Sequence, residues 1–153
     1  DSKEVIYIKR LLQHALPKNI RSKVTSVLFK KHVGLDQTDF AEELYMSVAE
    51  VKELVNSGMY VGSHGYQHLW LNKEDYISQK SEIDLSIKFL SSVGASTINW
   101  IMFYPYGAYN DQTINILNNK KCALALTTEV GAADLSSCHP LKLPRFDTND
   151  FPQ

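Results

Sequence analysis

At 153 residues and 44% apolar content, the chain is about the size of one domain and long enough to bury a core. Its 16 basic and 17 acidic residues leave a formal charge of −1, which gives no electrostatic case for nucleic acid or an anionic membrane as partner. No apolar run approaches the roughly 18 residues needed to span a bilayer, and the charged stretch Asp1 to Arg10 lacks the apolar centre of a signal peptide.

No repeat, low-complexity tract or long linker divides the chain. A single domain over 1–153 is expected, with a helical leading segment over 1–44 and a βα region over 45–151. Val5, Ile8 and Leu12, with Leu11 and Ala15, form an apolar stripe at helical spacing that stops before Pro17. Ile20, Val24, Val27 and Leu28 predict a second helix ending near Gly34, and the acidic run Asp36 to Glu43 reads as a loop. Ser47-Val-Ala-Glu50 is a capping-box sequence opening a helix with Val48, Val51, Leu54 and Val55 on one face, stopped by Gly58.

A short strand, Met59 to Gly62, then leads into Ser63-His-Gly-Tyr-Gln-His68. Asn72 is expected to cap a long helix whose inner face uses Ile83, Ile87 and Leu90, widened by Phe89 and Val93 and ended by Gly94. Ile98 to Tyr104 is an apolar run of strand length, closed by Pro105-Tyr-Gly107. Asn110 caps a further helix carrying Ile114 and Leu117, and strands follow at Cys122 to Thr128 and Leu141 to Phe146. Alternating strands and helices predict a parallel sheet covered by helices, with chemistry at the C-terminal strand ends. About four strands are legible, whereas a closed parallel barrel needs about eight.

Cys122 and Cys138 have neither the pairing of a zinc ribbon nor the density of a disulfide scaffold, and they leave the compartment open. Cys122, in the apolar run to Leu126, reads as a buried free thiol. Three groups are candidates for chemistry. Two imidazoles spaced by four, His64 and His68, suit a divalent metal, and the bland alternative is a hydrogen-bonded pair within a loop. Tyr104-Pro-Tyr-Gly107 is either an ordinary strand-ending turn or one that aims backbone N–H groups at a developing oxyanion. Arg145, in Leu143-Pro-Arg145, either holds a carboxylate in place or pairs at the surface with Asp147 or Asp150. Nothing in the spacing of Asp134 and His139 draws them into a mechanism.

Gly62-Ser-His64-Gly-Tyr-Gln-His68, the intervening helix, Phe103-Tyr-Pro-Tyr-Gly107 and the Leu-Pro-Arg ending together resemble the polysaccharide deacetylase (NodB-homology) family, over Tyr45 to Phe151. The resemblance implies a parallel (β/α) barrel that hydrolyses N- or O-acetyl groups on amino sugars or polysaccharides. It implies that His64 and His68 bind a divalent metal, usually zinc. Tyr104, Pro105 and Gly107 would line the substrate groove, and Tyr106 would offer its backbone amide to the tetrahedral intermediate.

The sequence departs from that pattern in three places. The family's T-F-D-D-G motif, which supplies a metal-binding aspartate and the general base, has no counterpart, and no Asp-Asp pair occurs. Phe103 stands where the family's third motif opens with arginine, a role Arg145 would take over. The closing leucine-x-histidine motif is not evident after Arg145. An incomplete barrel, lacking the strand that bears the aspartates and inactive on its own, is therefore expected. The missing N-terminal part or another chain would complete it. Should another carboxylate act as base, Asp36 and Asp39 are the first candidates. The rival reading is a non-catalytic carbohydrate-binding or structural relative, whose Tyr66, Trp70, Tyr104, Tyr106 and Tyr109 would stack on sugars. A third reading is a helical interaction module built on residues 1–34.

Overall fold

The computed structural model describes residues 1–151, which fall into two compact units, 1–47 and 48–151. The first unit is helical. Helix α1 (Lys3–Arg10) is capped by the Ser2 hydroxyl, which accepts from the Val5 amide, and it runs into a π-helical turn over Leu11–Ala15. Leu16 is extended, as the residue before a proline should be, and α2 (Lys18–His32) follows.

The acidic run read as a loop is instead a helix, α3 (Gln37–Leu44). Asp36 caps it, its carboxylate accepting from the Thr38 amide at 2.7 Å, and Asp39 sits in the first turn, where the helix dipole favours negative charge. Phe40 meets Phe29 of α2 edge to face, with ring centroids 5.3 Å apart.

The second unit is mixed α/β. Helix α4 (Val48–Asn56) begins directly after Ser47, and Gly58, at φ 82°, closes it with Met59 N–H on the Leu54 carbonyl and Gly58 N–H on that of Val55. Met59 to Gly62 does not form the expected strand. Only Ser63 is bridged, in parallel, to Met102. A ladder needs a neighbour along its length, and the segment meets β1 (Ile101–Phe103) only at its last step.

The expected long helix is α5 (Tyr76–Ser92), but its cap is Asp75 and not Asn72. The Asp75 carboxylate accepts from the Ser78 amide at 2.7 Å, whereas Asn72 lies in a 3₁₀ turn, Leu71–Lys73, anchored by the fully buried Leu71. Helix α6 (Asp111–Asn119) has the expected Asn110 cap, closed into a reciprocal box by Thr113.

Strands β1, β2 (Leu124–Val130) and β3 (Leu143–Arg145) form a parallel sheet in the order β1-β2-β3, with Ile101 opposite Leu124 and Leu126 opposite Leu143. The core between this sheet and the helices is built from Leu71, Ile83, Trp100, Met102, Ile116, Leu117, Ala125 and Leu141. Since the strands and the Ser63 bridge all run one way, their C-terminal ends open on one rim. His64 follows the Ser63 bridge, Tyr104–Gly107 follows β1 and Arg145 ends β3 there.

Candidate active site

The Ser63 bridge places the histidine loop against β1. Ser63 N–H donates to the Ile101 carbonyl at 2.9 Å, and Phe103 N–H donates to the Ser63 carbonyl at 2.8 Å. His64 therefore leaves the sheet level with Phe103, and its Nδ1 lies 2.8 Å from the Phe103 carbonyl. A carbonyl only accepts, so Nδ1 carries the proton and the lone pair is on Nε2. That lone pair faces Nε2 of His68 at 3.0 Å. Two nitrogens sharing one tetrahedral zinc lie about 3.3 Å apart, from Zn–N bonds of 2.0–2.1 Å. The two exposed Nε2 atoms thus have the spacing that one shared ion would need, and His64 has its lone pair on the nitrogen that faces His68.

His68 adopts φ 58°, an uncommon conformation for a residue with a side chain. Partial burial, and then the neighbouring His64, push its pKa below the usual imidazole range. Both influences favour the neutral, ligand-competent ring. On its far side His68 meets Tyr106 edge to face, with centroids 4.6 Å apart, and Tyr106 stacks on Trp70 at 4.5 Å and 13°. The Pro-Tyr-Gly turn is thereby joined to the histidines through its aromatic ring.

That turn is tightly specified. Tyr106 and Gly107 both have positive φ, 57° and 67°. A Cβ on Gly107 would stand 2.1 Å from Thr128 Oγ1, so no other residue fits. Among the described residues the Tyr106 amide donates no hydrogen bond.

Tyr104, expected in the groove, belongs to the core. It is 1% exposed, its hydroxyl donates to the Leu141 carbonyl at 2.8 Å, and its ring stacks on Tyr109. Burial raises its pKa and keeps the phenol neutral. Its ring is closed off from solvent by this packing. Pro105 is also buried, which leaves the Tyr106 ring and the Gly107 backbone on the rim.

Arg145 lies on the same rim but apart from the histidines. Its Nε–H donates to the Thr127 carbonyl at 2.9 Å, and β3 is two strand spacings, roughly 10 Å, from β1. Asp134 and His139 are engaged locally: the Asp134 carboxylate accepts from Ser136 and Ser137, and His139 Nδ1 accepts from the Leu141 amide. The Asp36 carboxylate is the α3 cap. Among the described residues no group of three His, Cys, Asp or Glu converges as a metal site.

One residue of this site escaped the reading of the sequence. Glu82 of α5 is 3% exposed, and its Oε1 accepts from the Tyr66 amide at 2.7 Å and from the Gln67 amide. One turn on, the buried Ser86 hydroxyl accepts from that of Ser63 at 2.9 Å. Gln79, Glu82 and Ser86 are polar residues inside the apolar stripe of α5, alongside Ile83 and Leu90. Polar residues at core positions were the available signal.

A parallel α/β sheet with an H-x-x-x-H loop and a Pro-Tyr-Gly turn on one rim defines the class. The polysaccharide deacetylase family model matches residues 17–125, and the chain belongs to that family. The match takes in α2 and α3 as well as the motifs.

YxkH of Bacillus subtilis (strain 168), provisionally named a polysaccharide deacetylase, is 28% identical over 123 residues, 79% of this chain and 41% of that protein. The deacetylase PplD of Streptococcus pyogenes, solved in complex with acetate, superposes with a TM-score of 0.60 at 29% identity, covering 65% of this chain and 43% of PplD. The BpsB deacetylase domain of Bordetella bronchiseptica shares the fold, with a TM-score of 0.57 at 17% identity over 66% of this chain and 48% of that one. The chain spans less than half the length of each.

Proposed function

We propose that the chain is the part of a metal-dependent carbohydrate deacetylase that binds the metal through His64 and His68 and removes acetyl groups from an amino sugar or polysaccharide. The observation that carries this reading is the pair of Nε2 atoms 3.0 Å apart, with His64 held in the right tautomer by the Phe103 carbonyl. Imidazole donors suit zinc above the harder cations, and membership of the family supports a carbohydrate substrate. A bound divalent cation supplies Lewis acidity toward an acetyl carbonyl.

The chain's own residues have separable tasks. His64 and His68 hold the ion. The Tyr106 amide donates to the negative charge that develops on the carbonyl oxygen, and it is available because nothing described accepts from it. Tyr106 and Trp70 wall the site beside His68 and offer aromatic faces to a sugar ring. Arg145 orients a carboxylate entering the rim from the β3 side, the task that Phe103 cannot perform.

Two histidines are one ligand short of an ordinary catalytic zinc site, and no Asp-Asp pair is present to supply a base. In this reading the sheet belongs to a larger (β/α) barrel, in which a carboxylate-bearing strand of a longer protein or another chain completes the ligand set. The same shortage favours the second reading, a carbohydrate-binding relative that has lost the chemistry. Acetate release from an acetylated chitooligosaccharide, with zinc or cobalt added, separates the two. These 153 residues alone should turn over far more slowly than roughly 1 per second. Joining a strand that bears two aspartates should restore metal-dependent release. Failure to restore it, with metal bound, favours the binding relative. Equal metal content in the parent and in the His64→Ala, His68→Ala double variant refutes the deacetylase reading.

A further inference from the structure

Between the two histidines run Gly65, Tyr66 and Gln67, and two of those three backbone amides point at a single buried carboxylate oxygen. Tyr66 N–H and Gln67 N–H both donate to Glu82 Oε1. Among the described residues no lysine or arginine forms a salt bridge with Glu82. Burying a carboxylate away from water is costly, and backbone amides are the compensation available here.

We propose that Glu82 is a positioning residue for the metal site: its carboxylate sets the backbone of the histidine loop so that His68 Nε2 converges with His64 Nε2. This rests on the reading of the two histidines as metal ligands.

The geometry gives the carboxylate a task that a helix-to-loop contact elsewhere would not have. Both donated amides belong to residues within the H-x-x-x-H spacing, and Gln67 immediately precedes His68, whose backbone is held at φ 58°. A left-handed residue with a side chain relaxes unless its surroundings over-determine it. Gly65 is shaped to the same contact: a Cβ there would stand 3.1 Å from Glu82 Oε1. Ser86, one turn along α5, holds Ser63 on the other side of His64. The loop is thus gripped before its first ligand and before its second, from one helix, with the carboxylate on the side of His68.

A purely structural role would make Glu82 matter for folding and not for metal binding, and cobalt titration tells the two apart. The full chain and its Glu82→Gln, Glu82→Ala and Glu82→Asp variants are titrated with cobalt(II), reading affinity and the visible absorption bands, with circular dichroism as the check on folding. Glu82→Gln keeps the shape and an acceptor but loses the charge. It should bind cobalt 10–100-fold more weakly with altered bands, the effect typical of losing a group that orients a metal ligand. Glu82→Asp, which keeps the charge, should recover part of that loss. Val93→Ala, a buried change at the far end of α5, should lower stability and leave cobalt affinity unchanged.

Glu82→Gln binding as tightly as the parent, with the same bands, would overturn the proposal whether or not Glu82→Ala folds. If the parent and the double histidine variant bind cobalt equally, the metal reading itself fails and takes this proposal with it, an outcome distinct from the first.

Discussion

His64, after the Ser63 bridge, and Arg145, at the end of β3, stand on one rim, yet the two ends of that rim are built differently. The histidine loop is held from behind by Glu82 and Ser86, both buried, and from the side by the Phe103 carbonyl and the Trp70–Tyr106 stack. Arg145 is exposed, and its described hydrogen bond is to the Thr127 carbonyl. Shared topology brings motifs to one edge of a sheet. A site further requires buried polar groups that leave a side chain one arrangement.

If that contrast is right, small changes near the histidine loop should cost much and changes at Arg145 little. Gly107→Ala should be the most damaging single change. It forces a left-handed residue to carry a side chain and drives a methyl into Thr128, at about 2–5 kcal/mol from strain and overpacking together, read as a drop in the urea midpoint. Tyr104→Phe removes a buried hydroxyl bonded to a carbonyl and should cost about 1 kcal/mol while leaving metal affinity intact, as befits a core residue. A change in metal affinity would move Tyr104 back into the site. Arg145→Ala should shift stability by no more than about 0.5 kcal/mol in the same unfolding assay and leave metal affinity unchanged.

The smallest effect is chemical. Partial burial pushes the Cys122 thiol up to about 11, so at pH 8 roughly one molecule in a thousand carries the reactive thiolate. Its native-state alkylation should be slow at pH 8, quicken about tenfold per pH unit toward 11, and become fast in denaturant.

The helices and motifs were legible because their signals are local. Apolar spacing placed α2, α4, α5 and α6, and Gly58, Gly94 and Asn110 marked their ends as the structure has them. What failed depended on neighbours distant in sequence. Asp36 to Glu43 looked like a loop because an acidic run carries little apolar periodicity, yet an aspartate cap and one phenylalanine against Phe29 suffice for α3. Asn72 and Asp75 are both good caps, and only the burial of Leu71 decides that the chain turns once before α5 begins. Tyr104 and Tyr106 flank one proline, and only the sheet decides that the first points into the core. Glu82 left only a weak trace, a polar residue inside the apolar stripe of α5, because a glutamate in a helix ordinarily faces water, and its role appears only when the histidine loop folds over it.

The central claim is that His64 and His68 hold one ion between their Nε2 atoms. A crystal of the chain soaked in zinc, with diffraction measured on both sides of the zinc absorption edge, tests it most directly. The account predicts a single anomalous peak about 2.0–2.1 Å from both Nε2 atoms, with His64 Nδ1 still donating to the Phe103 carbonyl. Zinc bound elsewhere, with the two imidazoles still hydrogen-bonded to each other at 3.0 Å, would contradict it.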